Sequence, residues 1–114
     1  MNHFEYRIFD EVYNDMIIGK KTIEFRLLND KSNSIKKGDE ILFKVLDNDN
    51  KNILVEVIDK YIYNDIDDLW NSKDIINNIL NYTKEDLIKA FYNIFGKEQV
   101  INSRIIGIKF KLKK

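Results

Sequence analysis

The pattern of apolar and polar positions along the chain predicts a set of short strands separated by helices. Apolar residues alternate with polar ones over 22–27, 40–45 and 105–112, the period of strands with two unlike faces. Segment 53–63 is longer and apolar on both faces, so we expect a bend or bulge where it changes partners. A shorter opening strand is predicted over 6–9.

The first helix is predicted to begin at Asp10 and to end before Gly19. Asp is a favourable N-cap residue, and Gly readily takes the left-handed conformation that follows many helices. The buried stripe of this helix is expected to be Val12, Tyr13, Met16 and Ile17. The polar segment 29–34 is interpreted as a loop, and 47–50 as a hairpin connection.

A second helical region is predicted from 64 to 96. A short helix follows the aspartates at its start, a weaker one covers 73–80, and a strong one begins with a capping arrangement at Thr83 and ends at Gly96. Leu87, Phe91 and Phe95 form the apolar stripe of the last helix, and this helical spacing favours core packing of Phe91 and Phe95 over a role as stacking platforms.

The order of these elements predicts an α+β fold. Short strands with hairpin-like connections favour a mixed, mostly antiparallel sheet that curls or closes into a small barrel, with the helices packed against it. At 114 residues the chain is expected to form one domain, 1–114.

Composition excludes several classes of protein. The chain is 44% hydrophobic and 33% charged, and its apolar runs fall far short of the roughly 20 residues that span a bilayer. No secretory signal is visible, and Cys is absent, so we expect a cytoplasmic protein without disulfides or membrane association. His3 is the single imidazole, so neither a metal site nor histidine-dependent catalysis is expected, and no cofactor is predicted.

Charge is unevenly distributed although the formal net charge is zero. Segments 20–37 and 97–114 are rich in Lys and Arg, whereas 45–75 is rich in Asp. A basic surface exists only if the two basic segments meet in space without being neutralised by the acidic one.

The candidate chemistry lies at the strand over 22–27. Its alternation directs Ile23, Phe25 and Leu27 to one face and Thr22, Glu24 and Arg26 to the other, next to Lys20 and Lys21. A lysine beside a carboxylate can serve as a base or nucleophile, and a guanidinium suits planar recognition of phosphate or of a base edge. The structural alternative is a solvated strand face with ion pairs worth less than about 1 kcal/mol each.

Two motifs resemble the signatures of the ASCH family. Gly19-x-Lys21-x-x-Glu24-x-Arg26 and Gly38-Asp39-x-Ile41-x-Phe43 match in order, and Phe95-Gly96 and 104–110 resemble the helix end and closing strand of that family. The resemblance implies a PUA-like barrel, in which the first helix and the strand 22–27 border a cleft suited to RNA.

Three functions remain open from the sequence. The first is an RNA- or nucleotide-binding module that uses Lys20, Lys21, Thr22, Glu24 and Arg26. The second is a hydrolase acting on a modified nucleoside or on RNA, since one branch of small ASCH proteins removes the acetyl group of acetylated cytidine; Lys21 would be base or nucleophile and Glu24 its partner. Glu24 stands where that branch has a second Thr, which favours binding over hydrolysis. The third is a protein-interaction or structural domain. The partner is predicted to be RNA, a nucleoside or a nucleotide, and the oligomeric state is left open.

Overall fold

The computed structural model describes residues 1–72 and 83–113. Five strands are present, namely β1 (His3–Ile8), β2 (Ile23–Leu27), β3 (Glu40–Val45), β4 (Asn48–Tyr63) and β5 (Ile105–Leu112). The helices of the described ranges are α1 (Asp10–Ile17), α2 (Asp30–Asn33), α3 (Ile66–Trp70), α4 (Lys84–Phe95) and α5 (Lys97–Ile101). No helix in these ranges has the length and apolarity needed to cross a membrane.

The strands form one curled sheet in the order β1-β3-β4-β5-β2. β1 pairs with β3 in parallel, and the other three pairings are antiparallel. The edge strands β1 and β2 approach each other across the curl. The Arg26 guanidinium on β2 donates a hydrogen bond of 2.7 Å to the Arg7 carbonyl on β1. The predicted fold, an α+β barrel-like sheet with flanking helices, is confirmed.

The bulge predicted in the longest strand lies on β4. Val57 is opposite Phe110 on β5, and Asp59 is opposite Lys109, so Ile58 is an extra residue. An extra residue bends a strand and increases its twist. β4 thereby pairs with β3 near its start and with β5 along its second half.

Two hydrophobic clusters lie on opposite faces of the sheet, as the alternation along β5 shows. Ile106, Ile108 and Phe110 belong to the cluster inside the curl, together with Phe43 of β3. Ile105 belongs to the second cluster, which the residues of α3, α4 and α5 cover. The sheet is therefore buried on both faces over the first half of β5, from Ile105 to Ile108.

Helix boundaries follow the predicted caps in two places. The Thr83 hydroxyl accepts from the Asp86 backbone N–H, and the Asp86 carboxylate accepts from the Thr83 N–H, each at 3.1 Å. Gly19 has a φ of 80° directly after the cap of α1. In the predicted stripe of α1, Met16 is buried, but Ile17 is 49% exposed, because the helix ends there.

Other boundaries differ from the sequence prediction. β1 begins at His3, earlier than predicted. β4 begins at Asn48, because Asp47 at φ 63° makes the β3–β4 turn shorter than expected. The segment interpreted as a loop contains α2, since Asn29 and Ser32 form a reciprocal capping box. The short helix α5 was not predicted, and the helix predicted over 73–80 lies outside the described residues.

Candidate functional site

The polar face of β2 points into the curl of the sheet. Glu24 is opposite Ile108 and Arg26 is opposite Ile106 in the β2–β5 pairing, and directly opposite residues share a face. Since both isoleucines belong to the inner cluster, the side chains of Glu24 and Arg26 lie on the inner face. Glu24 is only 7% exposed, so the alternative of a solvated strand face is wrong for this residue.

Glu24 joins the two cations predicted to act with it. The Lys21 Nζ lies 3.4 Å from one carboxylate oxygen, and the Arg26 Nη2 lies 3.1 Å from the other. The side chains of Lys21 and Arg26 are 12% and 20% exposed. A shared, nearly buried carboxylate therefore fixes both cations, and only part of each reaches solvent.

Arg26 is held by two further contacts. Its Nη2 donates to the Arg7 carbonyl at 2.7 Å, and its guanidinium carbon lies 4.5 Å from the centroid of the Tyr6 ring, within the range of a cation–π contact. The bonds to the Glu24 carboxylate and to the Arg7 carbonyl both use Nη2. Nε and Nη1 carry further donors, so this fixed guanidinium retains capacity for a ligand.

Tyr6 is a site residue that sequence reasoning missed. Its hydroxyl is buried and has no hydrogen-bond partner within the described part of the chain. Burial raises the pKa of this phenol, and the Glu24 carboxylate adds to that rise while Arg26 opposes it. The Lys31 ammonium lies 4.0 Å from the ring centroid and donates to the Glu5 carbonyl, so two cations contact one neutral tyrosine.

A cleft of about 240 Å³ opens beside Arg26. Its wall is formed by the end of β2, the start of α2 and the junction of α4 and α5, with Tyr6 contributed by β1. The lining residues are Tyr6, Arg26, Leu27, Leu28, Asn29, Phe95, Gln99 and Ser103. Arg26 is the member of the predicted site that lines this cleft; Glu24 contacts Arg26, and Lys21 contacts Glu24.

The other two predicted residues lie just before β2 and are exposed. Lys20 and Thr22 flank the half-buried Lys21. The Thr22 carbonyl accepts a hydrogen bond from the Phe110 N–H at 3.1 Å, which places this residue beside β5. The structure thus brings Lys21, Glu24 and Arg26 together and leaves Lys20 and Thr22 at the neighbouring surface.

The two basic segments meet because β2 pairs with β5. The pairing continues past the strand, where the Leu28 N–H donates to the Arg104 carbonyl at 2.8 Å. Part of the basic charge is neutralised on the far side of β5, where Lys111 lies 3.6 Å from Glu56. The two basic segments of the sequence therefore lie side by side in the structure around β2.

Acidic side chains of the described residues form no group suited to a metal ion. The aspartates at the start of α3 are engaged with backbone donors. Asp65 accepts from the Asp68 N–H at 2.8 Å, and Asp68 accepts from the Asn64 N–H at 2.9 Å. These carboxylates cap a helix.

Comparisons with known proteins identify the fold. No protein-family model matches the sequence, and no curated protein matches it. The solved structure of the hypothetical protein PH0355 superposes with a TM-score of 0.82 at 22% identity, over 97% of this chain and 99% of that one. The ASCH domain from Lactobacillus crispatus gives 0.70 at 12% identity, over 97% and 79% of the two chains.

A ZmASCH mutant protein from Zymomonas mobilis gives a TM-score of 0.67 at 14% identity, over 97% of this chain and 70% of that one. At these identities the likeness establishes the fold alone. The chain therefore has the fold of ASCH domains, as the sequence motifs implied.

Proposed function

We propose that the chain acts as a single domain that binds RNA through the inner face of β2 and the surface beside it. The observation that carries the proposal is the state of Arg26. This guanidinium is fixed by Glu24, by the Arg7 carbonyl and by the Tyr6 ring, yet it lines a cleft with donors to spare. A fixed, planar donor array suits phosphate oxygens or the edge of a base.

Charge around Arg26 supports the same function. Lys20 is exposed just before β2, and the Lys31 ammonium contacts the Tyr6 ring. Arg104 is exposed, and its carbonyl accepts a hydrogen bond from the N–H of Leu28, which lines the cleft. Cations spread around a recessed site attract the phosphate backbone, while the recessed groups provide discrimination. Lys21 and Glu24 then serve to position Arg26, and Thr22 lies at the edge of the same surface.

The test is the binding of end-labelled single-stranded RNA, measured by fluorescence anisotropy at low salt. We expect Arg26→Ala to weaken binding by roughly tenfold or more, as for an arginine that contacts bases or phosphates. Lys20→Ala should weaken binding less and should lower the salt dependence by about one phosphate contact. Lys89→Ala, an exposed change of equal charge on α4, is the matched control and should bind as the wild type does.

Two results would overturn the proposal. One is absence of RNA binding by the folded wild-type protein at low salt. The other is an equal, small loss of affinity in Arg26→Ala and Lys89→Ala. Because Arg26 also links β1 to β2, circular dichroism must show that Arg26→Ala is folded, and Arg26→Lys gives a second variant that keeps the charge but not the planar donor array.

Hydrolysis of a modified nucleoside is the second candidate function. It is favoured by the position of Lys21, whose amine is mostly buried and lies 3.4 Å from the Glu24 carboxylate. The same carboxylate also binds Arg26, which suits an electrostatic role equally well. Incubation with acetylated cytidine, followed by chromatography, separates the two: release of cytidine by the wild type but not by Lys21→Ala would establish hydrolysis.

A further inference from the structure

The cleft beside Arg26 has the chemistry of a site for a base rather than for a phosphate group. Its polar lining residues are Arg26, Asn29, Gln99 and Ser103, and its apolar ones are two leucines with the rings of Tyr6 and Phe95. Arg26 is thus the single charged residue among the described lining residues. Rings, amides and one guanidinium are the groups that proteins use to stack and read unpaired bases.

Two of the residues that line the cleft, Asn29 and Gln99, carry amide side chains. The Asn29 Oδ1 accepts from the Ser32 N–H at 2.9 Å, so the N-cap bond fixes this side chain and leaves its NH₂ donors for another partner. Gln99 is exposed on α5 and lines the same cleft. An amide carries both a donor and an acceptor, as the edge of a base requires.

Phe95 provides the stacking surface. It is the last residue of α4, its ring lies 5.4 Å from that of Phe91, and it remains half-buried. Gly96, at φ 89°, turns the chain directly into α5. Since a side chain is strained at this φ, the glycine permits the sharp turn that brings Phe95 and Gln99 to one cleft.

Size narrows the ligand further. A volume of about 240 Å³ is below the roughly 300–1,000 Å³ of sites that enclose whole small molecules. One ring system fits the cleft, and the sugar and phosphates attached to it must lie outside. Two exposed basic residues adjoin lining residues: Lys31, whose Nζ lies 4.0 Å from the centroid of the Tyr6 ring, and Arg104, which follows Ser103 in the sequence.

We propose that this cleft binds one unstacked base of single-stranded RNA, with Phe95 as the stacking surface and Arg26, Asn29 and Gln99 on the edge of the base. The inference rests on the proposed RNA binding, and it adds a base-reading site formed by β2, α2 and the α4–α5 junction. Lys31 and Arg104 contact the phosphates on either side of the bound base.

The experiment compares an RNA oligomer with an abasic oligomer of equal length, which keeps the phosphates but has no bases. We expect the wild type to prefer the RNA by roughly tenfold, the scale of stacking one base on an aromatic side chain. Phe95→Ala should abolish most of that preference while leaving affinity for the abasic oligomer unchanged. Ile94→Ala, an exposed neighbour outside the cleft lining, is the matched control and should keep the preference.

Gln99→Ala protects the test against a folding defect, because this side chain is exposed. It should change the relative affinities for oligouridylate, oligocytidylate and oligoadenylate without changing affinity for the abasic oligomer. If RNA binds but neither variant alters these ratios, the base site is wrong and RNA binding stands. If neither oligomer binds the wild type at low salt, the proposed function is wrong as well.

Discussion

The two faces of β2 are both buried, yet their compositions are opposite. Toward the helices, Ile23 and Phe25 are 4% and 7% exposed and belong to an apolar cluster. Toward the inside of the curl, Glu24 is equally buried at 7% but holds Lys21 and Arg26. Five residues of one strand thus contribute to a core on one side and to a polar site on the other.

The difference shows where stability and function separate in this fold. Burial of an aromatic side chain stabilises by several kcal/mol, whereas a buried ion pair regains little more than the cost of removing its charges from water. The polar face is therefore a poor source of stability. Its geometry is better explained by the fixed orientation that it gives to Arg26 at the cleft.

The largest expected effect is on the apolar face. Phe25→Ala should lower the free energy of unfolding by about 3–5 kcal/mol, because it removes a buried ring and leaves a cavity beside Tyr63. Urea unfolding followed by circular dichroism measures the change. Ile62→Ala, at a 41% exposed position, is the control and should cost less than about 1 kcal/mol. A comparable small loss in both variants would contradict the separation of the two faces.

Glu24→Gln is expected to have a smaller effect on stability. The direction of its effect on RNA affinity tests whether Glu24 positions Arg26. The amide keeps the shape of the side chain but removes the charge that holds Lys21 and Arg26, and we expect a loss of about 1–3 kcal/mol. The variant also gains one unit of positive charge, which by itself would strengthen RNA binding. If Glu24 positions Arg26, binding should nevertheless weaken.

The control for that sign is Glu85→Gln, an exposed change of equal charge at the start of α4. It should bind RNA as tightly as the wild type or slightly more tightly. Tighter binding by Glu24→Gln than by Glu85→Gln would show that Glu24 contributes only its charge, and the positioning role would be wrong.

Local patterns were sufficient to predict much of the fold. Alternation located β3 and β5 at their observed bounds, and the capping residues Thr83 and Asp86 located the start of α4. The alternation in β2 also placed Glu24 and Arg26 on one face. It could not tell which face is enclosed, because that depends on the curl of the sheet and on helices distant in sequence.

The cleft could not be predicted for a similar reason. Tyr6 and Arg26 come from opposite edges of the sheet, and the guanidinium bonds to a backbone carbonyl of β1 that has no sequence signal. Phe95 was assigned to the core because its spacing on the helix is that of a buried stripe. Its additional exposure to the cleft follows from the turn at Gly96 and from α5, which is too short to give a periodic pattern.

The smallest expected effect is on Asp39, a buried carboxylate that is held by backbone N–H groups, in contrast to Glu24, which is held by cations. The backbone N–H of Asn2 at 3.0 Å and that of Lys36 at 2.8 Å donate to its two oxygens and lower the pKa of this carboxyl. A carboxyl whose pKa is lowered by folding stabilises the fold when the pH is above its pKa in the unfolded state. This contribution is lost as the pH falls through its pKa in the folded state. The free energy of unfolding of the wild type, measured in urea, should therefore exceed that of Asp39→Asn by the most at neutral pH. The difference between the two proteins should narrow below about pH 5. Glu40, whose pKa is lowered by Lys113, is present in both proteins and cancels in the difference. A gap that stayed constant or widened in acid would show that Asp39 acts through shape rather than charge, and it would remove the contrast between an acid held for stability and Glu24, which is held by cations at the cleft.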